Sequence, residues 1–138
     1  MADVGLPAQV GETFSRRLCF DTASIRAFAL SVDDRNPLHH DEAVARAAGY
    51  PGLIASGTQL GGIVMAMTAT HFSQPTAEGH ERSGLGLAFE IRFRAVVLAG
   101  EEMSARWTVT ALERKDRLDG WIVTAVDGAA RDAFEETN

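Results

Sequence analysis

Asp34, Asn36, Pro37 and His39 fall within one short stretch, Asp34-Arg35-Asn36-Pro37-Leu38-His39. A carboxylate and an imidazole five positions apart, across a turn stiffened by proline, can converge on one small volume and share a water molecule. One would take a proton while the other gives one, which is general acid–base catalysis. A plainer reading stands beside it. Asp and Asn before Pro are common turn residues, and Asp41 reads as a helix cap. Asp34, His39, His40 and Asp41 are also metal-ligand types. Their spacing matches no zinc pattern and no distant His/Cys set completes it, so no metal is expected. Nucleophilic catalysis fits poorly too. Cys19 falls in an expected strand, and Ser56 lacks the strand-turn-helix elbow of the hydrolases.

About twenty positions downstream, Ile54-Ala55-Ser56-Gly57-Thr58 leads into the most apolar segment of the chain. Ser56 or its neighbour is expected to cap a helix that has Gly57 in its first turn. Backbone N–H groups there lack intrahelical partners and carry the positive end of the helix dipole. A thioester carbonyl aimed at them would have its developing enolate charge stabilised. Alone, Ser56-Gly57 reads as a cap before a core helix. Paired with the Asp/His loop, it supplies the second half of a site.

The elements that must hold these residues follow from periodicity. Thr13–Phe20 reads as a strand. Asp21 or Thr22 caps a helix to about Val32, with Ile25, Phe28 and Ala29 on one face. Pro37 breaks helical order. Asp41 caps a short helix, Glu42–Ala48, which Gly49 ends. Gly57–His71 is apolar all round and is expected to be buried on every side. Its Gly61 and Gly62 suggest that something packs very close there. Residues 73–83 read as a loop. From Leu85 to Phe93, apolar residues alternate with others at a clean period of two. A second alternating run spans Met103–Lys115. Asp119-Gly120 signals a hairpin into Trp121–Val126, and Asp127-Gly128 signals another turn before a short last strand over 129–134. The class is α+β: an antiparallel sheet of about five strands curved around one long helix, with shorter helices before it. An open sheet edge would make pairing between two subunits plausible. Residues 1–12 read as a lead-in and 13–138 as one domain.

The 138 residues are 46% hydrophobic, enough for a real core. The net charge of −6 argues against nucleic acid as the main partner. A single cysteine allows no internal disulfide. The N-terminus lacks the basic and apolar regions of a secretory signal, and the longest apolar run is shorter than a membrane span needs. A cytoplasmic protein with no membrane partner is expected.

The pattern Asp34-x-Asn36-Pro37-x-His39, followed by Ile54-x-Ser56-Gly57 and an apolar helix, resembles the MaoC-like dehydratases, which include the (R)-specific enoyl-CoA hydratases of the hydratase-2 type. The likeness runs from about Thr13 to Asp127. It implies a hot-dog fold, a homodimer or higher oligomer, and no cofactor. The implied substrate is an acyl-CoA or acyl-carrier-protein thioester. The implied reaction is hydration of a trans-2-enoyl thioester, or dehydration of a 3-hydroxyacyl thioester. Asp34 and His39 become the catalytic pair, and Asn36, Ser56, Gly57 and Thr58 the substrate-binding residues. The chain departs from the family's common pattern in three places. Ser56 stands where His is frequent, Ala95 stands where Pro is frequent, and the C-terminal strand is short and polar. Two alternatives remain open: a hot-dog thioesterase, weakened because residues 57–70 hold no Asp or Glu, and a non-catalytic acyl-thioester binder or inactive subunit.

Overall fold

The computed structural model describes residues 6–131. In chain order the elements are β1 (Thr13–Leu18), α1 (Thr22–Ser31), α2 (Glu42–Ala47), α3 (Gly57–Phe72), β2 (Met103–Lys115) and β3 (Gly120–Arg131). A single 3₁₀ turn, Pro37–His39, sits between α1 and α2. Contacts within the chain fall into two compact units. The described part of the first comprises 6–16, 64–89 and 104–130, and the second holds 17–63 and 90–103 together with Arg131.

The first unit is built on the antiparallel sheet β1-β2-β3. Alternation in β2 buries Ala105 and Val109, at 0% and 1% exposure. The indole Nε1–H of Trp107 donates to the Val64 carbonyl at 2.9 Å, which ties the second half of α3 to the sheet. The end of α3 is held by a polar cluster. His71 Nε2 lies 2.6 Å from Glu12 Oε2, and the His71 ring stacks on Phe14 with centroids 3.9 Å apart. Arg82 donates to the carbonyls of Pro7, His71 and Gln74, and its guanidinium sits over the Phe72 ring. Arg82 thereby satisfies an orphan carbonyl of the last helical turn.

Burial is the largest single influence on the Glu12 carboxyl and works to raise its pKa. The hydrogen bonds from His71 and the Gln9 amide, with the Arg82 charge beside them, outweigh it and hold the carboxyl below its usual 4.5. The unfolded chain therefore binds this proton more readily than the folded one. The cluster's contribution is whole above 4.5 and is lost as pH falls through the folded value. Glu12→Gln is expected to flatten the acid side of the stability profile, read as urea midpoints between about pH 3 and 6. Parallel wild-type and variant curves would contradict this.

In the second unit the helices form where their caps place them. Asp21 accepts from the Ser24 amide at 2.7 Å to start α1, which buries Ile25 and Ala29 completely. Asp41 accepts from the Ala43 and Val44 amides to start α2. Gly49, with φ of 100°, takes the left-handed conformation that ends it.

Four expectations are corrected. The sheet has three strands among the described residues, not about five. Residues 84–94 carry the alternation of a strand but belong to no ladder, and Leu85 and Leu87 stand 90% and 71% exposed. Alternation specifies which side chains share a face; it does not supply a neighbour to pair with. Asp127-Gly128 is not a turn, because β3 runs through it and absorbs the start of the expected last strand. Residues 132–134 of that strand lie outside the described residues. Finally, α3 is not buried on every side. Leu60, Val64 and Met67 are buried, while Gly62, Ala66 and Ala69 are exposed. A Cβ at Gly62 would meet open space, so nothing packs close at that glycine, while Gly61 is buried.

Candidate active site

The site lies within the second unit and is assembled from two short segments. The first is the turn after α1. Asp33, with φ of 57°, reverses the chain in the left-handed region. Asn36 then caps the 3₁₀ turn, its side chain accepting from the Leu38 amide at 3.1 Å. Asp34 Oδ1 accepts from the Asn36 amide at 3.0 Å, and the Asp34 carbonyl lies 2.6 Å from His40 Nε2. A carbonyl only accepts, so His40 donates there. Arg26 in turn donates to the His40 carbonyl at 2.9 Å. Backbone and side chain of Asp34 are thus fixed from both sides.

His39 is 6% exposed. Its Nδ1 lies 2.7 Å from the Ile54 carbonyl, which again can only accept. Nδ1 therefore carries the hydrogen, and in the neutral ring Nε2 presents a lone pair. Nε2 faces Asp34 Oδ2 at 3.4 Å. Two acceptors turned toward one another at that separation form a place where a water molecule could donate to both.

The second segment is the entry to α3. Ser56 is 1% exposed, and its carbonyl accepts the amides of Gln59 and Leu60, opening the helix. Its hydroxyl reaches Asp34 Oδ2 at 3.4 Å. A cavity of about 240 Å³ is lined by His39, Ser56 and Gly57 together with apolar side chains that include Leu60, Phe93 and Val97. Asp34 reaches it only through its contacts with His39 and Ser56. The Phe93 ring packs on Gly57 so closely that a Cβ there would lie 2.8 Å from its Cζ.

Of the residues singled out in the sequence, Asp34, His39, Ser56 and Gly57 come together. Asn36, Thr58 and Asp34 are all outside the cavity wall. Asp34 joins the group through His39 and Ser56, whereas Asn36 and Thr58 are exposed and Asn36 spends its side-chain oxygen on the turn. His40, read from the sequence as a surface or supporting residue and not a catalytic one, braces the Asp34 carbonyl. The sequence reading missed Phe93. The alternating pattern marks Phe93 as apolar and facing with Ile91, but nothing local says that this face meets Gly57. Among the described residues no group of His, Cys, Asp and Glu is placed to hold a metal, and no helix is long and apolar enough to cross a membrane.

A long helix with an antiparallel sheet is the element set of the hot-dog fold, and solved hot-dog proteins superpose on this chain. The chain belongs to the MaoC-like family: a model described as "MaoC like domain" matches residues 7–129. The crystal structure of a MaoC-like dehydratase from Rhodospirillum rubrum is 30% identical, with a TM-score of 0.66, covering 91% of this chain and 84% of that one. An (R)-hydratase from A. caviae, described as involved in PHA biosynthesis, is 24% identical with a TM-score of 0.66, covering 91% of this chain and 97% of that one. A UPF0336 protein of Saccharopolyspora erythraea is 56% identical over 34 residues. That match spans 25% of this chain and 22% of the relative's length.

Proposed function

We propose that this protein is a hydro-lyase acting on acyl thioesters, adding water to a trans-2-enoyl thioester or removing it from a 3-hydroxyacyl thioester. The observation that carries this reading is the facing of Asp34 Oδ2 and His39 Nε2, 3.4 Å apart, with Nδ1 of His39 committed to the Ile54 carbonyl. Membership of the MaoC-like family and likeness to a dehydratase and an (R)-hydratase support it.

In the hydration direction, water is held between the two acceptors. One of them takes a proton as the water oxygen bonds to C3. The C2–C3 π electrons move toward the thioester carbonyl, whose oxygen gains negative charge. The Gly57 N–H, at the start of α3 and on the cavity wall, stabilises that charge. The proton then passes to C2 and restores the carbonyl. Dehydration runs the same steps in reverse. The substrate carrier is CoA or an acyl carrier protein, and a cytoplasmic setting suits either. The test is incubation with a panel of enoyl-CoA and enoyl-carrier-protein thioesters, following loss of the conjugated double bond. Release of free thiol without hydration would favour a thioesterase. Tight binding with no turnover of any member would favour a non-catalytic binder.

We also propose that the chain works as a homodimer or higher oligomer. The support is residues 84–94, which hold a strand's alternation without a ladder and leave Leu85, Leu87 and Phe89 exposed. An unpaired extended segment of this kind is a template for another chain. Sedimentation is expected to give at least twice the 14.8 kDa chain mass. Leu87→Glu is expected to shift the population toward single chains. A wild-type protein that sediments as one chain at micromolar concentration would refute this.

A further inference from the structure

We propose that Ser56 is a positioning residue for the Asp34 carboxylate rather than a substrate contact, an inference that rests on the acid–base reading of Asp34 and His39. Three observations carry it. Ser56 is 1% exposed, and its hydroxyl is directed at Asp34 Oδ2, 3.4 Å away. Asp34 Oδ2 also faces His39 Nε2 at 3.4 Å, and the Nδ1 contact to Ile54 makes that nitrogen a lone-pair acceptor in the neutral ring. A carboxylate oxygen and an imidazole lone pair repel one another. With the ring neutral, Nε2 gives Oδ2 no hydrogen, so a donor from elsewhere has to hold that oxygen. The backbone amide of Asn36 holds only the other oxygen, Oδ1.

Ser56 supplies the missing donor. Its Oγ–H donates to Oδ2 at 3.4 Å, so among the described residues each carboxylate oxygen has a protein donor. Oδ2 keeps further lone-pair capacity for the water that it shares with His39. The device links the two halves of the site. The turn after α1 carries the acid–base pair, and the entry to α3 carries both the oxyanion amide and the hydroxyl that fixes the carboxylate relative to it. The residue before the helix glycine therefore sets where the carboxylate points.

The expected results separate positioning from binding. Ser56→Ala should lower kcat by about 100-fold, the scale of an ångström of misplacement in a reacting group. KM should stay within about threefold, because ground-state binding is not what is lost. Ser56→Thr, which keeps the hydroxyl, should recover most of the rate. Ser56→Cys, close to serine in size but a weak donor, should not. This variant decides the matter if Ser56→Ala fails to fold. Crystal structures of wild type and variant give a readout independent of turnover: without the hydroxyl, Oδ2 should leave its place beside His39 Nε2 by about 1 Å or more. A rise in KM at unchanged kcat, or a carboxylate that stays in place in Ser56→Ala, would overturn the proposal. If the wild type hydrates no thioester, the acid–base reading fails by itself, and the carboxylate position still decides whether Ser56 holds it.

Discussion

Asp34→Asn is expected to remove nearly all hydratase and dehydratase activity, by about 10²- to 10⁴-fold in kcat/KM, while leaving the fold intact. The substitution is close to isosteric, and the amide oxygen of Asn can still accept from the Asn36 amide, which is 3.0 Å from Asp34 Oδ1 in the native chain. What changes is the other atom. Oδ2 becomes an NH₂ group facing His39 Nε2, so an acceptor is replaced by a donor that caps the imidazole lone pair. One variant thus silences both proton carriers. His39→Ala should lose activity to a similar extent, but it also leaves the Ile54 carbonyl without the ring N–H now 2.7 Å away. An orphaned buried acceptor costs about 1–3 kcal/mol, so its melting temperature should fall where that of Asp34→Asn does not. Activity and thermal melts of both variants check this. An Asp34→Asn protein that keeps more than about a tenth of the wild-type kcat/KM would end the assignment.

The parts of this molecule that local chemistry dictates could be read before any coordinates. Asp21 and Asp41 announce helix starts because an Asp side chain before a periodic run satisfies orphan amides, and both do so here. Gly49 announces a helix end because the left-handed region costs glycine nothing. The convergence of Asp34 and His39 was legible for the same reason: Pro37 limits the turn to few conformations. The parts that depend on distant partners were not legible. Residues 84–94 alternate as a strand does, yet pairing is a property of two segments, and the described residues contain no ladder for this one. The apolar circumference of α3 predicted complete burial, while the described residues bury Leu60, Val64 and Met67 and leave Gly62, Ala66 and Ala69 exposed. Thr58 illustrates a further limit. It is next to Gly57 in sequence, but successive helical residues point about 100° apart, and its side chain falls outside the cavity wall. Within the first turn of a helix, adjacency in sequence says little about adjacency to a ligand.

Gly57 and Phe93 offer a test of where the thioester oxygen is held. Gly57→Ala should cost little stability. Alanine gains up to about 1 kcal/mol of helix propensity over glycine. The new Cβ would meet only the edge of the Phe93 ring, at 2.8 to 3.1 Å, and that side chain is 53% exposed on a segment outside any ladder. The ring can therefore turn aside. Turnover should nonetheless fall by about 10²- to 10³-fold, the usual cost of losing one oxyanion donor, because the methyl group keeps a carbonyl oxygen from the amide. Two causes could produce such a loss: the methyl blocking substrate directly, or the displaced ring filling the cavity. Phe93→Ala separates them. If the amide is the oxyanion donor, the double variant Gly57→Ala/Phe93→Ala stays as slow as Gly57→Ala, since removing the ring leaves the methyl in place. If the double variant recovers the rate of Phe93→Ala alone, the methyl acted only through the ring. The developing charge must then be met by a group other than the first amide of α3.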